Sequence, residues 1–354
     1  MGDLFEGVIG HGGVIGLLER DVTEPAHAYL FVGPLGVGKA TVARRFAAGV
    51  LCGDDDKQCR DRVQRGLHPD VVLIEPDGRS AITVEQARNT VALASLAPVE
   101  GDRKMFVFEE GGSMNDEAAN ALLKTLEEPT ASTVFIVVAE SEDDLPETVA
   151  SRCRTVVFGR VPEADIADGL VEQGVTAERA GQAARISGGR PGLAISLATR
   201  ADVAAFRNVW MSVPLRLSEH PGDAYRLADV VISAADPLMT ALKERQLDET
   251  ATLEAEGGLS KAVEQRQARE LKRASIALHV SGLEILSGFY RDVAAAQLGA
   301  PVRNPDIPTP ALTRLTPRKA VHKAGRILEA IEAIEANQRP QLALAALFAD
   351  IGDS

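Results

Sequence analysis

The segment Gly33-Pro34-Leu35-Gly36-Val37-Gly38-Lys39 constrains this chain more than any other, because it follows the apolar run Ala28–Val32 and leads into a helical pattern. This is the spacing and context of a Walker A loop. Its glycines let backbone N–H groups face phosphates, the helix N-terminus adds partial positive charge, and Lys39 can reach the β- and γ-phosphates. ATP or ADP is therefore the expected ligand, held by Gly33, Gly36, Val37, Gly38, Lys39, Ala40 and Thr41.

The surrounding pattern agrees with such a loop. Ala28–Val32, Val71–Ile74, Met105–Phe108, Val134–Val138 and Thr155–Phe158 read as strands. They are too short for helices and nearly continuous in Val, Ile, Leu and Phe, as parallel strands buried on both faces are. Helical patterns lie between them. Thr83 and Gln86 have capping-box spacing before a stretch ending near Pro98. Asn115 can cap a helix whose Ala119, Leu122, Leu123 and Leu126 share one face, with Pro129 just past its end. Strands alternating with helices imply an α/β domain with a doubly wound parallel sheet.

Around Val161 the β pattern stops. Glu163 to Ala198 reads as a small helical unit, broken at Ser187-Gly188-Gly189-Arg190-Pro191-Gly192. From Trp210 onward only helical patterning is found, including a long charged stretch from Glu254 to Leu298. Gly299 through Pro317, with prolines at 301, 305, 308 and 310, reads as a loop. A helix follows from about Pro317 to Asn337, and Pro340 can begin the last one. The expected division is 1–160 for the P-loop domain, 161–207 for a helical lid and 208–354 for an all-α C-terminal domain.

The chemistry expected at the loop is incomplete. The position after the lysine, normally Ser or Thr to ligate Mg²⁺, is Ala40, and Thr41 points elsewhere on the helix. The acidic pair that should follow an apolar strand is Glu109-Glu110, with Glu109 where Asp is usual. Its extra methylene moves the carboxylate by about 1.5 Å, and reaction geometry is sensitive to errors of about 1 Å. Two weakened metal positions favour binding over hydrolysis.

Composition removes other classes. With 45% hydrophobic and 25% charged residues over 354, the chain can build more than one core. No apolar run approaches the ~20 residues of a membrane helix, and Met1–Glu6 does not read as a secretory signal. Three cysteines suggest no disulfide framework and fit a reducing cytoplasm. The 38 basic and 51 acidic residues leave a net charge of −13, so a broad basic face for nucleic acid is not expected.

Three further segments carry a family resemblance. They are His27-Ala28-Tyr29-Leu30-Phe31-Val32-Gly33-Pro34, Asn120-Ala121-Leu122-Leu123-Lys124-Thr125-Leu126-Glu127-Glu128-Pro129 and Ser151-Arg152-Cys153. In this order they resemble the bacterial clamp-loader AAA+ ATPases, most closely the delta-prime type. The likeness extends to Gly188–Ala194, to Tyr290–Val293 with Gln297–Gly299, and to Ala336–Leu344. It implies an AAA+ domain, a lid and a helical collar that assembles in a five-subunit ring.

The resemblance also implies the partners: gamma/tau-type ATPase subunits, a delta-type subunit, a sliding clamp and primer-template DNA, with no membrane. It makes Arg152 the arginine presented to a neighbour's ATP, where a planar, permanently charged fork stabilises charge on the γ-phosphoryl oxygens. Ser151 would fix the loop, and Cys153 would be a small apolar side chain rather than a reactive thiol. The lid arginine of hydrolysing relatives falls on Gly192, and Val138-Ala139-Glu140-Ser141 replaces their polar sensor. The implied role is a stationary partner rather than a motor.

Where the family often carries a four-cysteine zinc knuckle, this chain has Cys52 and Cys59 with His68 nearby. These three do not make a closed zinc site, so no metal is expected there. Lys261, Arg266, Arg269, Lys272 and Arg273 are interspersed with Glu264 and Glu270 and read as a solvated helix face. DNA contact, if made, would be to backbone phosphates inside an assembled ring. The rival reading is an autonomous AAA+ ATPase that hydrolyses at Lys39 and Glu110. A P-loop kinase would leave the Ser-Arg-Cys motif unexplained.

Overall fold

The computed structural model describes all residues except 1–3, 54–55, 77–80, 219, 256–260, 337 and 354. It also omits the side chains at 221, 249, 252–255, 261–266, 269, 273 and 353. The elements begin with α1 (Gly12–Asp21), β1 (Ala28–Val32), α2 (Lys39–Leu51), α3 (Lys57–Gln64), β2 (Val71–Ile74) and α4 (Val84–Ala94). They continue with β3 (Lys104–Phe108), α5 (Asp116–Glu127), β4 (Thr133–Ala139), α6 (Glu147–Ala150) and β5 (Arg154–Val157). After the last strand come α7 (Glu163–Glu172), α8 (Ala177–Ser187), α9 (Pro191–Thr199), α10 (Ala201–Arg216) and α11 (Pro221–Ser233). The chain closes with α12 (Asp236–Ala255), α13 (Lys261–Gln297), α14 (Thr309–Leu312), α15 (Pro317–Glu335) and α16 (Pro340–Asp353).

The strands form one parallel sheet of order β2-β3-β4-β1-β5. The chain crosses from β1 to the far side of the sheet and returns, so it reverses beside β1 at the point where the glycine loop leaves. That is where an open α/β sheet binds its ligand. β1, β3 and β4 are buried on both faces because helices cover both, whereas the edge strand β5 buries only Val156 and exposes Arg154, Thr155 and Val157, contrary to the sequence expectation for it. Tyr29, Phe31, Met105, Val107, Ile136 and Phe158 pack with Val42 and Phe46 of α2. The alternate residues Leu30, Phe106, Phe108, Phe135 and Val137 pack with Leu122 and Leu126 of α5 and Ala87 of α4. A period of two along each strand thus sorts side chains into two cores.

Local signals place the helix ends. Thr83 accepts from Gln86 N while Gln86 Oε1 accepts from Thr83 N, a complete capping box on α4. Asn115 Oδ1 accepts from Ala118 N at 2.8 Å and starts α5. Buried Lys104 closes the other end of α4, with Nζ donating to the Ala97 carbonyl at 3.2 Å and more weakly to Leu93 and Leu96. Each strand matches its sequence reading to within one residue at either end. The segment read as a continuous loop before Pro317 contains the one-turn α14, which Pro308 leads into.

Two compact units emerge, Met1–Ile195 and Ser196–Ser354. Helices α7 and α8 fall in the first with the sheet, and the boundary lies within α9. The second unit is helical, and its core joins Trp210, Leu283, Leu286, Tyr290, Val293, Ile327 and Phe348. Gly282 on α13 faces the indole of Trp210, and a Cβ there would lie 2.0 Å from Trp210 Cε2. Below it a buried polar cluster pins the segment after α13. Asp292 accepts from Asn304 N at 2.8 Å and Asn304 Nδ2 at 2.7 Å, and Arg207 forks onto Asp306. Among the described residues no helix is long and apolar enough to cross a membrane.

Candidate functional site: a phosphate loop and an arginine at opposite strand ends

The glycine loop leaves the C-terminal end of β1 as the spacing requires. Gly33 has φ +148°, and a Cβ there would lie 2.1 Å from the Phe158 carbonyl oxygen. Only glycine lets the loop turn so close to the strand beside it. Gly33 N donates to the Glu140 carbonyl at 3.1 Å, which ties the loop to the end of β4. Gly36 and Gly38 also have positive φ, and Gly38 caps α2 without a side-chain acceptor. The first-turn N–H groups of α2 therefore face the loop with no side-chain cap, the arrangement that accepts an anion.

Lys39 is 7% exposed, and its Nζ donates to the Gly33 and Pro34 carbonyls of its own loop. Burial lowers its pKa, against which Glu140 and Asp144 act. Val37 is buried beneath the loop, while Thr41 is exposed and Ala40 is half-buried. Two residues that the sequence reading did not single out meet the loop. His11 Nε2 donates to the Val37 carbonyl at 2.9 Å, and its ring meets the Phe158 ring edge-on at 5.0 Å. His11 has φ +60°, unusual for a non-glycine residue and the kind of outlier that gathers at functional sites. Arg190 lays its aliphatic stem over Gly36, since a Cβ on that glycine would lie 3.1 Å from Arg190 Cδ.

Glu109 and Glu110 follow β3 at the same C-terminal end of the parallel sheet as the loop, with β4 between β3 and β1. Glu109 is engaged by Arg44 of α2. Arg44 Nε pairs with Glu109 Oε1, Arg44 Nη2 donates to Oε2 at 2.8 Å, and Arg44 Nη1 donates to the Gln64 carbonyl at 3.0 Å. Glu110 is exposed. At the end of β4, Asp144 accepts from the backbone N–H groups of Glu140 and Ser141 at 3.0 and 2.8 Å. The acidic cluster there builds a local turn.

Nucleotide and metal fare differently in this setting. The glycine loop, the helix N-terminus and Lys39 suit the phosphates of ATP or ADP. The residues beside the loop offer little to a Mg²⁺ ion: Ala40 has no side-chain oxygen, and both carboxylate oxygens of Glu109 contact Arg44.

Arg152 lies at the opposite end of the strands. It precedes β5, whose Arg154 is in register with Tyr29 near the start of β1, whereas the phosphate loop leaves after Val32. The length of β1, roughly 16 Å at ~3.3 Å per residue, separates the two ends. Arg152 Nη1 donates to the Thr148 carbonyl at 2.6 Å, and Nη2 pairs with Glu127 at the end of α5. The Cys153 thiol beside it is pushed up to about 11 by burial, as befits an inert side chain.

The cysteines of the 52–70 segment differ from the sequence expectation. Cys52 and Cys59 form a disulfide, with Cα atoms 5.8 Å apart. The chain turns at Gly53 between α2 and α3, which brings residues seven apart in sequence into bonding range. The cavity beside the disulfide, about 270 Å³, is lined by Arg62, His68 and Glu100 among others. Burial lowers the His68 pKa, helped by Arg62. With both sulfurs bonded to each other, Cys52, Cys59 and His68 do not make a zinc site, and among the described residues no group of three metal-ligating side chains was found. Of the basic stretch on α13, Lys272 is exposed, while the side chains of Lys261, Arg266, Arg269 and Arg273 lie outside the described residues.

Comparison with known proteins fits this geometry. The family model for the DNA polymerase III delta subunit matches residues 16–162. The chain is 35% identical over 157 residues to DNA polymerase III subunit delta' of Bacillus subtilis, covering 43% of this chain and 47% of that protein. It is 38% identical over 137 residues to subunit delta' of Pseudomonas aeruginosa, covering 36% of this chain and 42% of that protein. The matched part is thus less than half the length of either relative. Among solved structures, a Thermotoga maritima protein related to the DNA polymerase III gamma subunit aligns over 96% of this chain and 99% of its own. Its TM-score is 0.47 at 17% identity. The AAA+ assignment rests on the parallel sheet, its strand order and the loop after β1. The resemblance read from the sequence is borne out over the N-terminal part of the chain, which is similar to clamp-loader subunits of the delta-prime type.

Proposed function

We propose that this chain, with its delta-prime-type N-terminal part, is the stationary subunit of a clamp-loader ring. It assembles through its helical C-terminal unit with gamma/tau-type ATPase subunits and a delta-type subunit. Arg152 is then offered to a neighbour's ATP, so that the ring loads a sliding clamp onto primer-template DNA. The observation that carries this reading is the placement of Arg152 before the N-terminal end of β5, whereas its own phosphate loop leaves the C-terminal end of the neighbouring β1. An arginine there is badly placed for a nucleotide on its own Lys39, which leaves a nucleotide held by an adjoining subunit as its target.

The chemistry follows from the side chain. A guanidinium is planar and stays charged, so it can meet charge that develops on equatorial γ-phosphoryl oxygens as the bond to the leaving group loosens. Such arginines are worth about 10³–10⁵ in rate. The chain's own loop would hold ATP or ADP with little turnover, because Ala40 and the Arg44-bound Glu109 leave the metal positions unserved. The rival reading, an autonomous ATPase at Lys39 and Glu110, requires those same positions to work.

The test is DNA- and clamp-stimulated ATP hydrolysis by the reconstituted loader, with Arg152→Ala compared against the unaltered chain and assembly followed by gel filtration. A large fall in rate with the ring intact is expected. An unchanged rate would make Arg152 a structural residue and remove the proposal. Turnover by the isolated chain that disappears in Lys39→Ala would favour the rival.

A further inference from the structure

Arg44 was not singled out by any motif, yet it makes the most directed contact at the nucleotide edge. It stands one helical turn after Ala40 on the same face of α2. Its guanidinium is fixed on three sides, by both oxygens of Glu109 and by the Gln64 carbonyl. Glu109 is the carboxylate at the end of β3 that would otherwise be offered to a divalent cation. A cation arriving there must compete with a forked, charge-assisted pair, the strong class of hydrogen bond. It would also leave a part-buried guanidinium without its carboxylate, and Ala40 offers no hydroxyl in return.

We infer that Arg44 takes the place of the divalent cation in this phosphate site, so that the site binds nucleoside di- and triphosphates in their metal-free form. The inference rests on the reading that the glycine loop holds nucleotide. Arg44 neutralises Glu109, so the incoming phosphates meet Lys39 and the N-terminus of α2 without an uncompensated carboxylate beside them. Arg44 is a positioning residue, acting through Glu109. The positive charge beside Glu109 is built into the helix, so excess Mg²⁺, by complexing free nucleotide, would weaken apparent binding rather than strengthen it.

The experiment is calorimetric titration of the full chain with ADP and with ATP, once in EDTA and once in excess Mg²⁺. It is paired with electron paramagnetic resonance of Mn²⁺ in the presence of ADP. Apparent nucleotide affinity should weaken in excess Mg²⁺, because the metal complexes free nucleotide and lowers the concentration of the form that binds. The Mn²⁺ spectrum should show no protein-bound ion beyond that chelated by free nucleotide. Arg44→Ala should make binding tighten with Mg²⁺, whereas Arg44→Lys, which keeps the charge, should stay nearer the unaltered chain.

Unchanged or tighter binding in excess Mg²⁺ by the unaltered chain, or stoichiometric bound Mn²⁺, would overturn the inference while leaving the nucleotide reading in place. A folded Arg44→Ala chain that gains no Mg²⁺ response would overturn it too. Absence of nucleotide binding under both conditions would instead defeat the underlying reading. The Mn²⁺ measurement needs no variant, so the inference stays testable if Arg44→Ala does not fold.

Discussion

Arg152 and Glu127 are bound to each other on the surface of the first unit, 25 residues apart in sequence and joined where the end of α5 meets the turn before β5. The same guanidinium donates to the Thr148 carbonyl, so the side chain is already extended and held before any neighbour arrives. A part-exposed pair of this kind is worth ~0–1 kcal/mol. Glu127→Gln should therefore leave the unfolding midpoint nearly unchanged. Under the proposed function it releases the guanidinium from competition, and the ATP KM of the reconstituted loader should fall by no more than about fivefold. Steady-state kinetics at fixed clamp and DNA would measure this. A KM that rises would instead make Glu127 a positioner of Arg152.

Acid should loosen the corner between β2 and β3 in two stages. Burial, then Arg62, lowers the His68 pKa, so its neutral form is favoured on folding. A base depressed in this way contributes stability above its unfolded value of ~6.5 that is lost as pH falls below it. Asp70 is fully buried, which by itself raises its pKa. Backbone N–H bonds from Val99, Gly101 and Glu100 outweigh that, and its pKa is lowered overall. Its contribution is present above ~3.9 and is lost as pH falls further toward the folded value. Urea unfolding of the full chain across pH should show the first loss below about 6.5, and His68→Gln should remove that stage alone.

Asp292 is the centre of the polar cluster in the second unit. It is 0% exposed and accepts from Arg303 N, Asn304 N and Asn304 Nδ2, with Arg291 also paired to it. Asp292→Ala would strip these donors of their acceptor inside the fold. A loss of about 3–5 kcal/mol is expected by the rule for breaking a buried charged network. Chemical denaturation would measure it. A loss below about 1 kcal/mol would mean that the segment after α13 re-pairs elsewhere.

Reduction should act on the α2–α3 corner alone. Without reductant, thiol titration of the unfolded chain should find one reactive cysteine, Cys153, and after reduction three. Closing so short a loop stabilises by about 2–3 kcal/mol on chain-entropy grounds. The reduced protein should unfold earlier by that amount, and Cys52→Ser should reproduce the shift. Three reactive thiols before reduction would refute the pairing.

Much of the first unit was legible before any coordinates. The five strands, the capping box at Thr83 and Gln86, the cap at Asn115 and the glycine loop all announce themselves within a few residues of sequence. Burial on both faces suppresses polar residues in a parallel strand, and a helix end needs its acceptor within a single turn. The loop itself was equally local, since glycine at Gly33 and Gly38 answers a backbone requirement at those positions.

The decisive contacts at the site were not legible, because they join residues that no window spans. Arg44 and Glu109 are 65 residues apart, and nothing about an arginine on a helix says which carboxylate it will face. His11 reaches Val37 across 26 residues, and Arg190 reaches Gly36 from beyond the last strand. The Cys52–Cys59 bond was missed for a related reason. Spacing in sequence does not tell whether the chain turns back between two cysteines, and only the packing of α3 against α2 does so.

The sequence by itself determined the strands, the glycine loop after β1 and the residue types on hand, because hydrophobic period and backbone freedom are local properties. The tertiary structure alone decided that the loop and Arg152 occupy opposite ends of neighbouring strands and that Glu109 is bound by Arg44. Strand order and helix packing set which side chains meet, and those are settled only when the whole sheet closes over its two cores.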